Sequence, residues 1–392
     1  DTKEGIKGAV IGVYAKEDVK GSDGNVIIPA GTLIEKVTTD DEGKARFETD
    51  LPLGIYEIKE IEAPKGYMPT SEIITIDASY RGEDVSNIYV SKTLLNSSYY
   101  AYILKTDVND ERLAGAKLRL LDDQKNVIDE WITSTNEIHK VLKLTPNLVY
   151  TLEEVSPASG YATAEPIRFY LDTDGKIYQK VDDENDTEVS FVNMKDDELK
   201  VAIDVVEKDS NKPLTEGKIT IINKETNDVV YEGNLNGDTN NISKIPTGNY
   251  EIKITEVGKD GYIEKTQDIV VSDTKETQKT TVEVDYTKLQ FKYIDEETKE
   301  RLKDATLEIV NENGKAITFF ITTDSSDFSI DKIPAGKYTL KEVISAGGYE
   351  KTEDIAIEVK NSSELQNYTI LKSRLVFDLE IEKYVSRVLV DG

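Results

Sequence analysis

The sequence contains no cysteine and a single histidine, His139. Disulfide bracing and thiolate metal centres are thereby excluded, and one imidazole builds neither a histidine metal cluster nor a serine–histidine triad. Tryptophan occurs once, at Trp131, which reads as core, and proline only ten times in 392 residues. No apolar run reaches the length a membrane-spanning helix needs, and Asp1 does not open a signal peptide, so the chain reads as a piece of something longer. Positive charge is scarce as well: 48 Lys and Arg stand against 76 Asp and Glu, a formal net charge of −28 with no basic block. A surface of that sign disfavours nucleic acid and anionic membranes as partners. The acidic stretches DVNDE (107–111) and DTDGK (172–176) lack the full ligand ladder of a calcium loop and read as turns, so no cofactor and no metal is expected.

What the sequence does have is repetition. The stretch YTLEEVSPASGY, Tyr150 to Tyr161, returns as YEIKEIEAPKGY from Tyr56, as YTLKEVISAGGY from Tyr338 and, more loosely, as YEIKITEVGKDGY from Tyr250. Alternation along a strand places Tyr150, Leu152 and Glu154 on one face, so Glu154 stands where a hydrophobe belongs. Glu60 and Glu342 repeat that misfit, whereas the third copy has Ile254. A buried carboxylate is costly unless it is protonated or finds partners, and such positions are where chemistry is sought.

A motif recurring about every 90 to 100 residues argues for consecutive domains, each able to bury a core and expected to fold on its own. Short alternating runs bounded by Asp, Asn, Gly and Pro lie between the copies, and no convincing amphipathic helix does. This pattern predicts an all-β fold of tandem Greek-key sandwiches in a rod, with domains at 1–98, 99–197, 198–286 and 287–372. The N-terminal strand of the first reads as truncated. In residues 373–392, Phe377, Leu379, Ile381 and Lys383 share one face, which reads as the opening strand of a further domain with Lys383 as its candidate lysine.

Two more polar residues are out of place in the second domain. Lys105 shares a strand face with Ile103, and Asn193 is read on a face with Phe191. Terminal strands lying side by side would bring Lys105, Asn193 and Glu154 together. There a desolvated lysine loses its proton more readily, and its amine can attack the Asn193 carboxamide and expel ammonia while Glu154 moves protons.

The order K-x-D, L-A-G-A, Y-x-L-x-E-x-x-P-x-x-G-Y and F-x-N resembles the B-type repeats of Gram-positive collagen adhesins and the related SpaA-type pilin domains. The resemblance implies stalk modules with an inverse immunoglobulin-like sandwich, many carrying a self-formed Lys–Asn isopeptide bond promoted by a buried acid. Lys105, Glu154 and Asn193 match at all the diagnostic positions. In the third domain the lysine position falls at about Glu207 and the asparagine at Asp285, so all three members are lost. In the fourth, Tyr293 takes the lysine slot and Glu342 remains, which predicts a hydrogen bond instead of a covalent link. In the first, Glu60 remains, the lysine would precede Asp1, and Ser91, Asn87 and Asn96 compete for the last position; no bond is assigned. Glu60 and Glu342 are read as vestigial acids.

The leading expectation is a structural stalk segment of a cell-wall-anchored surface protein, adhesin or pilin. It is extracellular and not an enzyme beyond one intramolecular turnover. As a fragment it is a monomer, and host proteins are met by other parts of the parent protein. The alternative is an adhesin fragment that contacts a host matrix protein itself, marked by an exposed apolar or aromatic patch or a long inserted loop in one repeat only, and the sequence shows no such insertion.

Overall fold

The computed structural model describes residues 4–80, 89–180, 185–376 and 379–384. The chain divides into two compact halves, residues 1–199 with 273–275 and residues 200–272 with 276–392. Each half is treated by itself. Regular structure among the described residues is β throughout, apart from one short 3₁₀ turn at Gly258–Asp260. The all-β expectation holds.

In the second repeat the first strand, Tyr100–Asp107, runs between His139–Leu142 and the last strand, Val192–Asp196. First and last strands are parallel neighbours, with Met194 opposite Lys105 and Asp196 opposite Asp107. The facing sheet contains Lys117–Leu121 and Tyr150–Ser156 at its centre. Between the sheets lies a core that includes Ile103, Leu118, Leu120, Leu152, Phe169 and Met194. The third and fourth repeats have the same plan. Lys200–Glu207 pairs in parallel with Gln278–Val284, and Lys288–Asp295 with Leu365–Lys372. In the first repeat Val10–Ala15 sits beside Ile55–Glu62 in a four-stranded sheet.

The acidic stretches fold as turns whose carboxylates bind their own backbone. Asp107 accepts the N–H groups of Asn109 and Glu111, and Asp172 those of Asp174 and Lys176. Such Asx turns explain the residue choice without an ion. The expected opening strand after residue 372 is not seen: 379–384 are described without strand pairing, with Leu379, Ile381 and Lys383 exposed, while Phe377 lies outside the described residues. Alternation alone does not make a strand where no neighbouring strand takes up its backbone groups.

The first tyrosine of each motif copy closes the same corner. Tyr250 and Tyr338 donate to the carbonyls of Pro246 and Pro334 at 2.8 Å, Tyr56 donates to Pro52, and Tyr150 accepts from Thr145 N–H. Tyr250 is fully buried. Its replacement by phenylalanine leaves the Pro246 carbonyl without that donor and should cost the third repeat about 1 kcal/mol. Faster hydrogen exchange confined to the second half would register the loss; unchanged exchange there would show that the corner is packing alone.

Candidate functional site

Three strands build the site of the second repeat. Glu154 enters from the central strand of the large sheet, where Leu118 is its neighbour in register. Its side chain and that of Lys105 are almost completely shielded from solvent, and Lys105 Nζ stands 2.9 Å from Glu154 Oε1. The other oxygen, Oε2, accepts the Ala164 N–H at 2.7 Å. The expected meeting of Lys105 with Glu154 is therefore present.

Asn193 is not the third member. The last strand presents Val192, Met194 and Asp196 to the interior, all fully buried, whereas Phe191 is 44% exposed and Asn193 is half-buried. The Asn193 amide exchanges hydrogen bonds with the Thr106 hydroxyl at 3.1 and 3.2 Å, away from the lysine. Pairing the strand on Phe191 and Asn193 misreads its parity by one residue, and in a period-two element such a slip exchanges the two faces. The carboxyl group that reaches Lys105 Nζ belongs to Asp196, through Oδ1. Its other oxygen, Oδ2, is buried without a hydrogen-bond partner.

Burial pushes the Asp196 carboxyl up to about 7, against the lowering pull of Lys105, and the neighbouring Glu154 adds to the rise. The physical cause is charge counting. One ammonium and two carboxylates would leave a net negative charge in an apolar interior, and a proton on Asp196 removes it. What the arrangement offers chemically is an amine, a carboxyl group within bonding reach that protonates near pH 7, and a second carboxyl beside both.

The other repeats fill the same three positions differently. In the third, the position equivalent to Lys105 is Val205, two residues before Glu207; the acid position is Ile254, and the last-strand position is Val284, not Asp285. All three are buried and apolar. In the fourth, Tyr293 donates to Glu342 Oε1 as the sequence suggests, and a residue that the repeat pattern does not single out completes the cluster. Lys372, at the end of the last strand, is buried with its Nζ 2.7 Å from Glu342 Oε2 and donates also to the Thr352 hydroxyl and the Glu350 carbonyl. The three ammonium protons are thus used. Against the opposing effect of burial, Lys372 and Tyr293 hold Glu342 below the usual glutamate range, while burial and Glu342 raise the Tyr293 hydroxyl.

In the first repeat Asn96 resolves the choice left open by the sequence. Its Nδ2 donates to both Glu60 oxygens at 2.9 Å and to the Met68 carbonyl at 3.0 Å. Ser91 is exposed, and Asn87 lies outside the described residues. Each acid is fixed by the same device, a backbone N–H ten residues downstream: Thr70 to Glu60, Ala164 to Glu154 and Thr352 to Glu342. Lys383 is exposed and stands in no such cluster.

The family model of the SpaA prealbumin-like fold domain matches residues 1–92, 101–186 and 287–373. Among solved structures, the Bacillus anthracis TIE protein is 17% identical over 94% of this chain and 69% of that one, with a TM-score of 0.36. BcpA, the major pilin subunit of Bacillus cereus, is 13% identical over 70% of this chain and 99% of that one, at a TM-score of 0.27. The shaft pilin SpaA from Lactobacillus rhamnosus GG is 16% identical over 45% and 98%, at 0.25. No curated protein matches the sequence. The unmatched stretch between 186 and 287 contains the third repeat, where the acid is replaced by Ile254. With the first, second and fourth repeats matched along more than half of its length, the chain belongs to the SpaA prealbumin-like fold domain family.

Proposed function

We propose that this chain is a stalk segment of a Gram-positive surface protein, adhesin or pilin, and that its second repeat cross-links itself through an amide between Lys105 and Asp196. The observation that carries the reading is the buried cluster in which Lys105 and Asp196 of the terminal strands meet Glu154 of the facing sheet, with the Asp196 carboxyl raised to about 7. Glu154 takes a proton from the Lys105 ammonium; the neutral amine attacks Asp196 Cγ, and the new N–C bond forms as the C–OH bond breaks. Glu154 passes that proton to the departing hydroxyl, which leaves as water, and then takes up the second proton from the new amide nitrogen, ending as the neutral acid. The chemistry runs once, so the protein is no turnover enzyme. Cross-linking residues 91 apart in sequence stabilises the fold by on the order of 4.5 kcal/mol in the chain-entropy model.

Intact mass is the test. The chain should be lighter by one water, not one ammonia, with the Lys105 and Asp196 peptides recovered as a joined pair after proteolysis. Lys105→Ala, Asp196→Ala and Glu154→Ala should each abolish the loss, and Asn193→Ala should not. An unmodified mass for folded protein removes the cross-link from this reading; loss of ammonia that disappears in Asn193→Ala would reinstate asparagine. Because a carboxylate is the poorer electrophile, the reaction on refolding should slow as pH rises above about 7, where Asp196 ionises.

The fourth repeat is expected to form no covalent link between its strands and to add no second water loss. The sign follows from Glu342, whose folded form is the better acid. Its stabilisation is fully present above the usual glutamate range and is lost as pH falls below it. Lys372→Met, which strands a buried carboxylate, should cost about 3–5 kcal/mol at neutral pH. A melting series of wild type and variant from neutral to about pH 3.5 checks both statements: the difference should shrink on acidification, and a constant difference would refute the ionic assignment.

One feature favours a second role, direct contact with a host protein. The outward face of the three-stranded sheet in the second repeat exposes Tyr100, Tyr102 and Leu142, with Lys140 Nζ 4.1 Å above the Tyr100 ring. The corresponding face of the third repeat carries Lys200, Asn241, Ser243, Lys279 and Thr281. Under this reading a Tyr100→Ser, Tyr102→Ser double variant loses adherence to an immobilised extracellular-matrix preparation while its mass and melting stay unchanged; equal adherence leaves the stalk role alone.

A further inference from the structure

Glu207 closes the first strand of the third repeat and is only 5% exposed. It accepts hydrogen bonds from the Tyr262 hydroxyl at 2.7 Å and the Ser210 hydroxyl at 3.0 Å. Neither neutralises it. The cation that does is Lys332, whose Nζ lies 2.6 Å from Glu207 Oε2, and Lys332 belongs to the fourth repeat, just after the strand Phe328–Asp331. The same ammonium stands 5.7 Å from the Tyr262 ring centre and 5.3 Å from that of Tyr286. A carboxylate site of one repeat is therefore completed by its neighbour.

Backbone contacts clamp that lysine in place. Lys332 N–H donates to the Thr287 carbonyl at 2.9 Å, Thr287 N–H to the Gly261 carbonyl at 3.0 Å, and the Thr287 hydroxyl to the Ile333 carbonyl at 2.6 Å. Lys332 itself has a left-handed backbone, φ 63. Gly261, in the motif's Gly-Tyr step, packs so closely that a Cβ there would fall 2.3 Å from the Lys332 carbonyl carbon. With φ +74 as well, only glycine suits the position. Lys288, the first residue of the fourth repeat's first strand, adds an ion pair to Asp209 at 3.1 Å.

The first half shows the backbone part of the clamp alone. Gly66 is packed against Lys143, which is left-handed in the same way, and Lys143 Nζ lies 5.9 Å from the Tyr67 ring centre. At the end of the fourth repeat the acid–tyrosine–cation group returns, with Asp295 accepting from Tyr349 at 2.6 Å and from Arg374 at 2.8 Å. Arg374 again lies beyond the strands of the repeat it serves.

We infer that the third and fourth repeats form one cooperative unit, coupled through the Glu207–Lys332 contact and the Gly261 clamp, so that opening either repeat destabilises the other. Coupling of this kind is reciprocal, which makes it measurable from both sides. Hydrogen exchange on the full chain is the experiment. Lys332→Met, a substitution in the fourth repeat, should lower protection of Lys200–Glu207 and Gln278–Val284 in the third by about tenfold. Glu207→Gln should lower protection of Phe328–Asp331 in the fourth. Gly261→Ala should lower both, and the first half should be unaffected throughout. Losses confined to the repeat that carries the substitution would overturn the inference. Should Lys332→Met fail to fold, Glu207→Gln decides alone, since its amide keeps the size and the hydrogen-bonding capacity of the acid.

Discussion

The parallel pairing of first and last strands is the constraint from which the rest of this structure follows. It joins residues far apart in sequence and sets them in fixed register, so that one position on each terminal strand faces the central strand of the opposite sheet. Three of the described clusters fill that frame: Lys105 with Glu154 and Asp196, Val205 with Ile254 and Val284, and Tyr293 with Glu342 and Lys372; in the first repeat, where no such strand pair is described, Glu60 meets Asn96. Charge separates them. The apolar filling needs nothing, and the tyrosine filling balances one ammonium against one carboxylate. Only the second repeat buries two carboxyl groups beside one ammonium, and it is there that the structure raises an acid into the neutral range. The imbalance is costly while the groups stay ionic, and amide formation removes the amine and one acid together.

Why the acid persists in three repeats follows from its fixed partner. The N–H ten residues downstream would be left without its acceptor if the glutamate became apolar, and losing a buried hydrogen bond costs about 1–3 kcal/mol. The third repeat escapes that cost because Lys265, eleven residues after Ile254, is in strand register with it, and the sheet continues through Lys265–Val271. Ladder pairing replaces the side-chain acceptor.

Much of this is legible in the sequence, for reasons that also mark its limits. Glu154 stands out because Tyr150 and Leu152 fix the parity of its strand, and the repeated motif supplies Ile254 as an internal contrast. The last strand offers no such anchor. In SFVNMKD both Phe191–Asn193 and Val192–Met194–Asp196 alternate plausibly, and the larger hydrophobe points to the wrong face. Lys372 is hidden for a related reason: a lysine at a strand end reads as solvated, and its only signal is the unanswered charge of Glu342. The same one- or two-residue ambiguity shifts Val205 to Glu207 and Val284 to Asp285. Glu207, set aside as a lost lysine position, belongs instead to a junction between repeats, which no pattern within one repeat reveals.

The frame also fixes how tension would travel through the chain. Parallel neighbours pulled from opposite ends load their hydrogen bonds in shear, all at once, so every repeat with this pairing resists before it yields. A bond between Lys105 and Asp196 changes the path itself. Force entering the first strand would leave through the last without passing the 90 residues between them, a contour on the order of 300 Å that pulling cannot extend. The apolar third repeat has no such shortcut, and its resistance rests on the strand pair and on whatever its neighbour lends it. Seen this way the Glu207–Lys332 contact has a mechanical sense: the repeat without a polar cluster of its own has a buried acid that the next repeat closes.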